Sequence, residues 1–81
     1  MSINKERLSN RLNFLDKQMD KVCTREFKAK DNGDMEKAAR YDARFREYRA
    51  EKDGILFVLE ALGIEWDFDV DDNGLFIYTI K

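Results

Sequence analysis

The sequence predicts an α+β fold, in which a long antiparallel helical hairpin is followed by a C-terminal two-stranded β-hairpin. Three observations carry this prediction. Apolar residues recur every three or four positions as far as residue 62, the apolar period shortens to two after Gly63, and turn signals occur at Asp31-Asn32-Gly33-Asp34, Gly63 and Asp71-Asp72-Asn73-Gly74. The 81 residues form one domain at most.

The first helix is expected over residues 3–30. Leu8, Leu12, Leu15, Met19 and Val22 are spaced alternately by four and three, which draws one apolar stripe along a helix about 40 Å long. Glu26 falls on the same stripe, so packing should loosen toward the C-terminal end. Cys23 lies at its edge and reads as a half-buried small hydrophobe.

Asp34 is a suitable N-cap for a second helix over residues 35–62, and Gly63 stands where a C-terminal glycine is favoured. The short turn makes the two helices antiparallel neighbours. The main stripe of the second helix is Tyr41, Phe45, Tyr48, Ile55, Leu56 and Leu59, with Ala38 and Leu62 at its ends. On the opposite side Ala39, Ala43, Ala50, Gly54, Phe57 and Ala61 fall within roughly 60° of one another at 3.6 residues per turn. The first helix cannot cover both sides. The small-residue face therefore awaits either the C-terminal segment or a second copy of the chain.

After Gly63, Ile64, Trp66, Phe68 and Val70 alternate with acidic residues, and Asn73-Gly74 leads into Leu75-Phe76-Ile77-Tyr78-Thr79-Ile80. The alternation predicts a β-hairpin over residues 64–80. A loop of two or four residues would put Trp66, Phe68, Val70, Leu75 and Ile77 on the face toward the helices. Phe76, Tyr78 and Ile80 would then lie outside beside Asp67 and Asp69. Both strand edges would be open, and Phe76 and Tyr78 would join Ala39, Ala43, Ala50 and Phe57 as candidate contacts between copies.

The composition excludes more chemistry than it suggests. There is no histidine and one cysteine, which removes His-based catalytic relays, imidazole metal sites, thiolate zinc cages and intrachain disulfides. Asp69-Val-Asp71-Asp-Asn73-Gly74 fits the start of a calcium loop, but Ile80 stands where the bidentate glutamate belongs and a strand replaces the entering helix. Asp67 and Asp69 are two apart on an open strand, with no pocket to shift a carboxyl pKa. The expected protein is non-enzymatic and needs no cofactor or metal. No segment approaches the roughly 20 apolar residues of a membrane span, and a cytoplasmic location is expected.

The charge is more informative by segment than in total. Fifteen basic and seventeen acidic residues give −2, but residues 1–30 carry +4, residues 31–63 carry −2 and residues 64–81 carry −4. On the first helix, opposite the leucine stripe, Phe14 lies amid Arg7, Arg11, Gln18, Lys21 and Arg25, with Ile3 adjoining. An aromatic ring among cations suits an acidic protein segment or an anionic ligand such as a nucleotide. On the second helix Glu36–Arg40, Asp42–Arg46 and Arg49–Asp53 form i, i+4 pairs that explain most of the arginines. Arg40 and Arg44, one turn apart beside Tyr41 and Tyr48, are further candidates.

These readings converge on binding. In size and composition, although in no specific motif, the chain resembles the small accessory proteins of bacteriophages and mobile elements, many of which block host proteins. That resemblance implies an inhibitor, adaptor or sequestering module. Its expected partners are a second copy of itself and a host or partner protein; no membrane is expected, and polymeric nucleic acid is disfavoured. The competing expectations are an anionic small ligand held in a pocket assembled between subunits, and a purely structural assembly subunit.

Overall fold

The computed structural model describes residues 4–81. It contains α1 (Lys5–Asp31), α2 (Met35–Ala61), β1 (Trp66–Val70) and β2 (Phe76–Ile80), the helical hairpin and β-hairpin that the apolar periods predict. Asn4 is the N-cap of α1, its side chain accepting from the Arg7 amide at 3.0 Å, so the helix starts at Lys5, two residues later than the expected residue 3. Ile3 lies outside the described residues.

The connection between the helices is short because each of its residues closes a helix end. Gly33, at φ 75°, donates to the Lys30 carbonyl, and the Asp34 amide donates to Ala29. These two bonds satisfy the last carbonyls of α1. Asp34 then caps α2 by accepting from the Lys37 amide at 3.1 Å. Gly63 ends α2 in the same way, with its own amide on Glu60 and that of Ile64 on Leu59.

The β-hairpin differs from expectation in its facing. Trp66 pairs with Ile80, Phe68 with Tyr78 and Val70 with Phe76, so those six residues share one face, and Asp67, Asp69, Ile77 and Thr79 share the other. The reason is the loop. Asp71 and Leu75 close it through a 2.9 Å backbone bond, Gly74 donates back to Asp71 at φ 80°, and the loop holds three residues, an odd number. The Asp71 carboxylate accepts from the amides of both Asn73 and Leu75 and so locks this turn. Leu75 and Ile77 are accordingly not partners of Trp66 on the inner face. Tyr78, expected as an exposed contact between copies, is 6% exposed and belongs to the core.

One strand edge is closed where two open ones were expected. Ser9, Asn13 and Asp16 follow one line along α1, and their side chains accept from the amides of Ile80, Tyr78 and Phe76 at 3.1, 2.6 and 3.2 Å. The helix thus acts as a third partner to β2. On β1 the amides of Phe68 and Val70 are taken by the carboxylates of Asp67 and Asp69, the residues just before them. An edge whose donors are occupied is a poor template for another strand.

The core is small. Leu12, Leu59, Tyr78 and Ile80 are buried together, with Leu8, Ile55, Leu56, Ile64 and Trp66 packed around them. Leu15 and Val22 continue the helix–helix seam, and Ala29 and Ala38 finish it near the turn. Leu62, expected on that seam, is 59% exposed, because α2 ends at Ala61 and the chain turns away. The backbones lie nearest from α2 to α1, α1 to β2 and β2 to β1, while side chains of α2 also reach β2 in the shared core. The extents are 48 × 27 × 16 Å.

Candidate functional site

The basic face of α1 is divided by its ion pairs. Arg11, one of the expected ligand-binding residues, reaches Glu51 on α2 through two side-chain hydrogen bonds, and its guanidinium lies 5.0 Å from the Phe14 ring centroid. The bonds to Glu51 raise the Arg11 pKa from its ordinary value, and the same contact lowers that of Glu51. Arg11, beside Phe14 on α1, therefore clasps α1 to α2 through Glu51. Arg7 and Lys21 are exposed and make no ion pair among the described residues.

Arg25 behaves differently. Near the turn, where the two helices approach each other, Ala29 on α1 and Ala38 on α2 are buried. Across that approach Arg25 faces Lys37, Arg40, Tyr41 and Arg44, which recur at three- and four-residue intervals along α2. Together with Ala43 they line a concavity of about 450 Å³. An adjoining depression adds Lys28, Ala29 and Asn32 while sharing Arg25, Lys37 and Tyr41. No carboxylate lines either one. Arg40 is paired with Glu36 at 3.0 Å, whereas Arg25, Lys28, Lys37 and Arg44 make no ion pair among the described residues.

The structure thus joins Arg25 of one expected group to Arg40 and Arg44 of the other, and adds Lys28, Lys37 and Tyr41. The hairpin register could have revealed this. In an antiparallel pair turning at Gly33, residues whose numbers sum to about 66 lie opposite one another, as Arg25 and Tyr41 do. The three expected i, i+4 pairs of α2 form at 3.0, 3.1 and 3.9 Å.

Two apolar surfaces remain, the first of which meets this cluster at Ala43. Ala39, Ala43, Ala50, Gly54, Phe57 and Ala61 are all exposed, and the β-hairpin docks on α1 without covering them. On the hairpin, Phe68 and Val70 are 54% and 52% exposed and Phe76 is 41% exposed, although Phe68 packs edge-on against Phe76 with ring centroids 5.3 Å apart. Phe68 and Val70 lie on the face of Trp66, as expected, but toward the loop end, which the core does not reach. Beside this face Lys52 pairs with Asp16 at 3.0 Å and sits 5.0 Å from the Tyr78 ring centroid. Burial opposes the charge on Lys52, but its interactions with Tyr78 and Asp16 outweigh that effect and raise its pKa.

The acidic loop has a structural use, since Asp71 is committed to the turn amides. Among the described residues no group of three or more cysteine or acidic side chains could hold a metal ion, and no helix is long and apolar enough to cross a membrane. Comparison with protein-family models, with curated proteins and with solved structures finds no match to this chain.

Proposed function

We propose that the chain is a small non-enzymatic interaction protein of the cytoplasm that self-associates and acts as an inhibitor, adaptor or sequestering module. The observation that carries this reading is its excess surface. A compact monomer of 9.6 kDa exposes roughly 5,100 Å², and this chain exposes 6150 Å². The difference, about 1,000 Å², exceeds the roughly 800 Å² that each partner buries in a standard protein–protein interface. The radius of gyration, 14.9 Å, is likewise above the roughly 12 Å of a compact chain of this length.

The excess follows from the smallness of the one core that the helices and hairpin share. Stable domains usually stack two layers over one core, and here no second layer covers the alanine face of α2 or the Phe68–Val70–Phe76 face of the hairpin. A second copy is the partner always present at matching concentration. The non-catalytic reading is supported by the absence of histidine and by Asp67 and Asp69, whose carboxylates are engaged by their own strand.

Sedimentation velocity or native mass spectrometry at tens of micromolar tests the proposal. The expected result is an oligomer that Ala43→Glu and Ala50→Glu, or Phe68→Ser with Val70→Ser, convert to monomer without loss of helical content. A strictly monomeric wild-type chain would refute the self-association reading.

A further inference from the structure

The turn end of the helical hairpin has properties that neither folding nor self-association through apolar faces requires. We propose that Arg25, Lys37, Arg40 and Arg44, with Lys28 and Tyr41 beside them, form a binding site for a compact phosphate-bearing polyanion within a single chain.

The first argument is charge. Arg11 pairs with Glu51, Lys30 with Glu26, Arg46 with Asp42, Arg49 with Asp53 and Lys52 with Asp16, and the cations outside the turn end that make no ion pair among the described residues, Lys5, Arg7, Lys17 and Lys21, all stand on α1 alone. At the turn end, four cations without a carboxylate partner converge from two helices on one concavity and its neighbour. Gathering like charges opposes folding, and an anion placed among them reverses the sign of that interaction.

The helix dipoles account for only part of the cluster. Lys28 lies in the last turn of α1, where a cation is favoured, but Lys37 lies at the start of α2, where the dipole disfavours one. Arg25 and Arg44 are well inside their helices. Their side chains gain nothing from the helix ends.

Shape and chemistry restrict the ligand. A volume of about 450 Å³ lies within the usual range for small-molecule pockets. Guanidinium groups match phosphate oxygens in paired hydrogen bonds, and lysine adds mobile point charges. Tyr41 is half-buried among them and presents a ring on which a planar base can stack. A strand of nucleic acid would need a longer basic track, and along this flank Arg11 is neutralised by Glu51, which interrupts the line from Lys21 to Arg7. The ligand class is therefore a short chain of phosphates, free or carried by a nucleotide.

The experiment titrates inorganic triphosphate and ATP into the full chain at low salt, read by calorimetry and thermal melting. Expected is saturable binding of one ligand per chain, with a melting temperature that rises with ligand concentration. Arg25→Glu and Arg44→Glu should each weaken binding about tenfold or more. Arg49→Glu changes the net charge equally but lies outside the cluster, and should have little effect. ATP binding tighter than triphosphate, with the difference lost in Tyr41→Ala, identifies a nucleotide; equal affinities identify the phosphate chain alone, and both support the site. Four results would overturn it. They are no saturation by about 10 mM ligand, equal weakening by Arg49→Glu, affinity that grows with oligonucleotide length, and a change of oligomeric mass in Arg44→Glu with no triphosphate bound to the wild type. Because the site lies within one chain, binding by a monomer would support it even if self-association failed.

Discussion

Asp16 joins three elements through one carboxylate: it accepts from the Phe76 amide of β2 and pairs with Lys52 of α2, while standing on α1. Asn13, one turn earlier, holds the Tyr78 amide. These groups are half-buried, so removing an acceptor leaves an amide with a poor substitute partner. Asn13→Ala and Asp16→Ala should each cost about 1 to 3 kcal/mol in urea denaturation, and Thr79→Ala on the open face should cost little. The same residues set two pH limits. Glu51 is held below its ordinary value of 4.5, so its contribution to stability is present above that pH and is lost as the pH falls through the lowered value. Lys52 is raised above 10.5, so its contribution is present below that pH and is lost as the pH rises through the raised value. Melting followed by circular dichroism should therefore show an acid-side loss that Glu51→Gln flattens and an alkaline-side loss that Lys52→Met flattens. Unchanged slopes in both variants would show that neither pair contributes.

At the scale of elements, glycines of similar appearance have opposite roles. Gly74 needs its positive φ to close the three-residue loop, and nothing lies within 4 Å of an added Cβ, so Gly74→Ala tests backbone strain alone. It should destabilise the chain by about 1 kcal/mol. Gly54 lies inside α2 with the same open space and no positive φ, so Gly54→Ala should stabilise by about 0.5 to 1 kcal/mol in monomer. Urea denaturation of the two variants, below the concentration of assembly, checks both signs. Helix positions were legible in the sequence because period and capping residues are local signals. The facing of the hairpin was not, because Asp71-Asp72-Asn73-Gly74 accommodates loops of different length, and one residue of difference exchanges the faces. Loop parity moved Tyr78 and Ile80 into the core, whereas Phe68 and Val70 keep the face of Trp66 and are exposed because the core does not extend to them.

For the whole molecule, the segmental charges suggested that a basic first helix draws in an acidic hairpin. The hairpin instead docks on the line of Ser9, Asn13 and Asp16, and among the described residues no cation of α1 pairs with a hairpin carboxylate. Apolar burial and amide capping hold it. An assembly built on the alanine and Phe68–Val70 faces should therefore keep its mass as salt rises from about 0.05 to 1 M, because screening weakens charge pairs but leaves apolar burial intact. Dissociation at high salt, seen by sedimentation, would point to head-to-tail contact between the basic and acidic parts. Only part of the basic cluster was visible in the sequence. Arg25, Arg40 and Arg44 were recognised as cations on separate helices, but their meeting depends on how the two helices approach each other near the turn.

By itself the sequence determined the two helices, their capped ends, the three i, i+4 ion pairs of α2 and the presence of a β-hairpin. Each of these rests on residues within one or two turns of one another. The tertiary structure decided what is not local: which face of the hairpin is buried, which edge α1 closes, and which cations share a concavity. Those outcomes depend on loop parity and on how closely two backbones approach, and an apolar period records that a residue has an inner face without recording what it meets.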